Sequence, residues 1–137
     1  MTAEPRVLIV DDDPALLEAL PEAVHLRIAA IEVETCDSAT SAVERIGAHD
    51  YDAIVSDIKM PGMDGLALLS AIKEIRPATP TILITGHGED DLRLRALDGG
   101  AYEYISKPID RDSFISSLER AIQSRLSARK GTPEDRR

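Results

Sequence analysis

The strongest constraint on the fold is an alternation. Five short, continuously apolar runs are each followed by a longer stretch with helical apolar spacing. The first run, Val7-Leu8-Ile9-Val10, has no polar alternation, so it suits a strand buried on both faces. Strand–helix alternation repeated five times implies a parallel sheet, because parallel strands need long right-handed crossovers. The predicted class is α/β, a doubly wound five-stranded parallel sheet with five helices on its two faces.

The elements are placed by their caps and breakers. Asp13 caps the first helix and Pro14 takes its first position, where a missing N–H costs nothing. Leu16, Leu20 and Val24 follow at helical spacing, and Pro21 predicts a kink or break. Strand two is expected over 31–35, with Ala39, Ala42, Val43 and Ile46 inward on the next helix. Strand three covers 53–56 and ends at Asp57; its helix, 65–76, buries Leu68, Leu69, Ile72 and Ile75. Strand four is 81–85, and its helix, 89–97, stops at Gly99-Gly100. Strand five is 102–106. The last helix, capped by Asp110, buries Phe114, Ile115, Leu118 and Ile122. The domain is expected over 6–125, with a disordered tail over 126–137.

Composition excludes several classes of function. Aromatic residues make up only 3%, so the core is aliphatic. A net charge of −9 argues against direct binding of nucleic acid or of an anionic membrane, both of which call for a basic face. No apolar run approaches the ~20 residues of a membrane span, and the N-terminus lacks the pattern of a signal peptide. Cys36 alone forms no internal disulfide and fits a reducing cytoplasm. Three histidines without paired spacing give no transition-metal reading.

In open parallel sheets the ligand site lies beyond the carboxyl ends of the strands. The chemically capable residues stand at those ends. Asp11, Asp12 and Asp13 follow strand one, Asp57 ends strand three, Thr85 ends strand four, and Lys107 follows strand five. Carboxylates brought that close repel one another and do not all stay ionised without a cation. A hard divalent ion with oxygen ligands relieves this, and Mg²⁺ is the expected one. A lysine and a hydroxyl beside the carboxylates complement a phosphoryl group in transfer. Asp57 can serve as the nucleophile of such a transfer.

Four blocks carry a family resemblance: Val7-Leu8-Ile9-Val10-Asp11-Asp12, Asp57-Ile58-Lys59-Met60-Pro61-Gly62-Met63-Asp64-Gly65, Leu83-Ile84-Thr85-Gly86 and Tyr104-Ile105-Ser106-Lys107-Pro108. In this order they resemble the receiver domains of two-component response regulators, such as the chemotaxis receiver. The resemblance implies a flavodoxin-like sheet of order 2-1-3-4-5. It also implies a phosphorelay switch that takes a phosphoryl group from a histidine kinase or histidine phosphotransfer protein and signals to a target protein or output domain. Such a domain catalyses its own phosphorylation and dephosphorylation and is an enzyme only in that limited sense.

The resemblance assigns roles residue by residue. Asp57 is the phosphoacceptor. Asp11, Asp12, Asp57 and the Lys59 backbone carbonyl hold Mg²⁺. Thr85 is the switch hydroxyl, Tyr104 the switch aromatic, and Lys107 the phosphate contact. Lys59 and His87 occupy the positions that tune phosphoryl lifetime. The Lys107–Pro108 bond is expected to be cis, and a large side chain at Gly86 to crowd the site. The Thr85-Gly86-His87-Gly88 stretch is similar to receivers of enhancer-binding transcription regulators. Helix four, strand five and helix five form the family's usual pairing face.

Plainer readings stand beside these. Asp13 is assigned to capping, Tyr104 reads equally as sheet packing, and a lone His87 reads as a solvated loop residue. Two other functions stay open. One is a haloacid dehalogenase-type phosphatase with Asp11 as nucleophile, suggested by Asp11-x-Asp13. The other is a pseudo-receiver that docks partners without ever being phosphorylated.

Overall fold

The computed structural model describes residues 4–86 and 90–130. Its elements run β1 (Arg6–Val10), α1 (Pro14–Arg27), β2 (Glu32–Cys36), α2 (Ala39–Ala48), β3 (Ala53–Asp57), α3 (Gly65–Ile75), β4 (Thr81–Thr85), α4 (Asp90–Asp98), β5 (Glu103–Ser106) and α5 (Arg111–Lys130). The strands form one parallel sheet of order β2-β1-β3-β4-β5. This is the flavodoxin-like arrangement.

Period-two geometry divides each buried strand between two cores. Val7, Ile9, Val55, Ile82 and Ile84 face one side, where α1 and α5 supply Leu20, Val24, Phe114 and Leu118. Leu8, Val10 and Ile54 face the other side, against α2 and α3. A third, smaller cluster lies under α3, α4 and β5. β3 and β4 are buried along their whole length.

The edge strand β2 is one residue later than its apolar pattern implied. Ile31 is buried but precedes the ladder, which begins with Arg6 opposite Glu32. On an edge strand only one face packs, so apolar content marks its limits poorly. α1 shows no break at Pro21. Leu20, Ala23 and Val24 anchor the helix on the sheet, and that packing outweighs one lost backbone hydrogen bond. Ile75, expected inward, is 39% exposed at the last residue of α3.

Residues 126–130, expected to belong to a disordered tail, are helical. α5 continues through Lys130, with Leu126 packed on the first core cluster. Nothing before Gly131 breaks a helix, and basic residues suit its C-terminal end. Residues 131–137 lie outside the described residues.

Candidate functional site

Capping places the side chains around the sheet's carboxyl edge. Asp13 is the N-cap of α1, its Oδ1 accepting from Ala15 N at 2.9 Å. Its own N–H donates to Asp11 Oδ1 at 2.8 Å. The cap thus orients the neighbouring carboxylate and is itself committed to the helix. Asp64 caps α3 by accepting from Ala67 N at 2.9 Å, so the helix after Asp57 needs nothing from Asp57.

Asp11 and Asp57 are buried, at 3% and 6% exposure, while Asp12 faces solvent. One carboxylate oxygen from each of the three lies within 4.8 Å of the others. Lys107 Nζ stands 3.6 Å from Asp57 Oδ1 and 3.9 Å from Asp11 Oδ2. These are charge–charge separations, too long for hydrogen bonds. Thr85 is fully buried at the end of β4, and its carbonyl accepts from Lys107 N at 2.7 Å. The Lys107–Pro108 bond is cis.

The electrostatics suit a bound divalent cation. Burial pushes the Asp11 carboxyl up to about 6, with Asp57 and Asp12 adding to the rise and the Asp13 N–H and Lys107 opposing it. Burial likewise raises Asp57, against the pull of Lys107. Asp57 Oδ1 is buried and accepts no hydrogen bond among the described residues. A buried acceptor without a donor is costly, and a hard divalent ion with oxygen ligands would satisfy it. The donor set is all oxygen, which suits such an ion and offers no soft ligand.

Tyr104 is 8% exposed, its hydroxyl oxygen buried with the ring. Lys59 is exposed between buried Ile58 and Met60, which anchor it from two different clusters. His87 lies outside the described residues. A Cβ on Gly86 would meet Lys107 Cδ at 3.7 Å, an ordinary contact. Any crowding there therefore begins beyond Cβ and falls first on the lysine arm.

Gly65 has a role the sequence reading did not give it. A Cβ at this position would stand 2.4 Å from the Asp57 carbonyl oxygen and 2.7 Å from Ile58 Cα. Gly65 N also donates to Ile58 O at 2.9 Å. The loop carrying Lys59 is therefore closed back on the end of β3 by a residue that must lack a side chain. The available signal was glycine as first residue of a helix whose cap, Asp64, is already present.

A family model for the response regulator receiver domain matches residues 7–119. The chain belongs to that family. Receiver domains are phosphoacceptor switches of two-component systems, and they interact with histidine kinases and output domains. This receiver is 40% identical over 125 residues to the C4-dicarboxylate transport transcriptional regulatory protein DctD of Rhizobium meliloti (strain 1021), covering 91% of the chain and 27% of the relative. It therefore spans about a quarter of the length of that curated relative. Its fold is similar to the signal receiver domain of an HD domain-containing protein from Pseudomonas fluorescens Pf-5, with TM-score 0.88, 28% identity and 96% of each chain covered. It is also similar to the beryllofluoride-activated NtrC4 receiver domain dimer, with TM-score 0.80, 32% identity, and 88% of this chain and 98% of that one covered. The phosphatase reading loses its second carboxylate, since Asp13 caps α1 and stands apart from the acidic group. Among the described residues no helix is long and apolar enough to cross a membrane.

Proposed function

We propose that Asp57 is the phosphoacceptor of this receiver, and that Mg²⁺ is held by Asp11, Asp12, Asp57 and the Lys59 backbone carbonyl. The observation that carries this reading is the unsatisfied, buried Asp57 Oδ1 inside an all-oxygen cluster, with Lys107 Nζ 3.6 Å away. The metal supplies charge neutralisation for the carboxylates and the incoming phosphoryl oxygens. Asp57 attacks phosphorus as a carboxylate; an O–P bond forms, and the P–N bond to the donor histidine breaks with its electron pair going to nitrogen. Lys107 neutralises a phosphoryl oxygen, and Thr85 donates its hydroxyl to another. Water later attacks phosphorus and returns Asp57 to a carboxylate. Lys59 and His87 set the rate of that step.

The phosphoryl group then biases Thr85 and Tyr104 toward a second arrangement of α4 and β5, which a target protein or output domain reads. Leu94, Leu97 and Tyr102 leave apolar surface exposed on α4 and next to β5, which supports pairing of two copies through α4, β5 and α5. A cytoplasmic setting goes with Cys36 being a lone, buried thiol.

The test is incubation with acetyl phosphate and Mg²⁺, read by intact mass. One phosphoryl adduct is expected, lost in Asp57→Asn and lost when a chelator removes the metal. No adduct on the unaltered protein would leave the pseudo-receiver as the better reading.

A further inference from the structure

α4 is held to the domain by very little. Among its described residues only Leu92 and Ala96 are buried. They stand four apart and so form a single stripe on one helix face. Both enter the small cluster that also contains Ile58, Leu69, Leu83 and Tyr104. Neither belongs to the two larger clusters. Ile58 is the residue after Asp57, is 1% exposed, and is tied to β4 by its N–H on Ile84 O at 2.8 Å.

The C-terminal end of α4 is pinned separately. A Cβ on Gly99 would lie 3.1 Å from Leu69 Cδ2, and one on Gly100, at φ +101°, 3.0 Å from Lys73 Cε. Two α3 side chains therefore rest directly on backbone at that end, where glycine leaves room. Among its described residues the rest of the helix is seated through the Leu92–Ala96 stripe, and the seat includes the neighbour of the acceptor.

Close-packed clusters register small displacements of a single side chain. We infer that Ile58 transmits the state of Asp57 to α4 by packing, a route that does not pass through the Thr85 hydroxyl. This rests on Asp57 being the acceptor. Charge and bulk added to the Asp57 carboxylate act on the end of β3. Ile58 carries the resulting shift into the cluster, and the fit of Leu92 and Ala96 changes with it. Ile58 is thus a positioning residue for α4, and it takes no part in the chemistry.

The experiment compares amide hydrogen exchange across α4, with and without acetyl phosphate and Mg²⁺, in the unaltered protein and in four variants. Ile58→Val and Ile58→Ala trim the proposed route. Ile54→Val and Ile54→Ala trim the same strand on the second core cluster, where Ile54 is fully buried and away from α4. A loss of global stability raises exchange in both phosphorylation states, so it does not by itself remove their difference. The expected result is an adduct in every variant. The phosphorylation-dependent change in α4 exchange should shrink in Ile58→Val, be lost in Ile58→Ala, and persist in both Ile54 variants. Retention of the full change in Ile58→Ala overturns the inference, as does an unaltered protein that is phosphorylated with no change in α4. An unaltered protein that forms no adduct overturns the acceptor reading and this inference with it.

Discussion

Asp11 and Asp57 keep their carboxylates in a buried site where Lys107 Nζ stands beyond hydrogen-bonding distance of both. Their burial has a consequence for stability with a definite sign. Asp11 is raised from 3.8 to about 6, so between those values the folded protein holds a proton that the unfolded chain has released. Metal-free stability from this group is therefore full below about pH 4 and is lost as pH rises through about 6, by roughly 2–3 kcal/mol. Asp57 acts with the same sign. Urea titrations in chelator should show the unaltered protein weakening relative to Asp11→Asn between pH 4 and 7, with saturating Mg²⁺ removing most of that difference. Equal pH dependence in the two proteins would contradict it. A second residue-scale prediction concerns Gly65. A methyl group there meets backbone that cannot yield cheaply, so Gly65→Ala should cost about 2–3 kcal/mol and slow adduct formation. Denaturant midpoints and the rate of the acetyl phosphate reaction measure both effects. The acidic residues were legible from their places after strands. Gly65 was not, because its constraint is a contact with Asp57 and Ile58, and contacts of that kind do not show as a local pattern.

At the scale of elements, the strands were the most legible, since buried parallel strands read as unbroken apolar runs and Ile54, Ile82 and Leu83 have no alternative environment. The helices were legible where caps were read, as at Asp13 and Asp110. The sequence reading went astray where tertiary packing decides. Pro21 sits within an intact α1 because the helix is anchored by Leu20, Ala23 and Val24. Removing the proline should restore a backbone hydrogen bond, so Pro21→Ala is expected to raise stability by about 1–2 kcal/mol. Thermal unfolding checks this, and an unchanged or lowered midpoint would show that the proline's constraint on the unfolded chain dominates. α5 gives the opposite case. Phe114 is fully buried against the sheet, and Phe114→Ala should cost about 3–5 kcal/mol, read from the denaturant midpoint. Its extension through Lys130 escaped the sequence reading because Ser127 and Ala128 resemble a linker in composition yet contain no helix breaker.

The whole molecule is a sheet whose buried strands deliver chemistry to one edge, with α4 packed on the third cluster through Leu92 and Ala96. The separation suits a switch, since β3 and β4 are buried throughout while α4 has two buried residues among those described. Everything rests on Asp57 being the carboxylate that receives the phosphoryl group. The most direct measurement is chemical trapping. The protein is phosphorylated with acetyl phosphate and Mg²⁺, reduced with borohydride, which converts an aspartyl phosphate to homoserine, and mapped by peptide mass spectrometry. Conversion at position 57, with positions 11, 12 and 13 unchanged, is the predicted result. Conversion at position 11 with Asp57 intact would contradict the account.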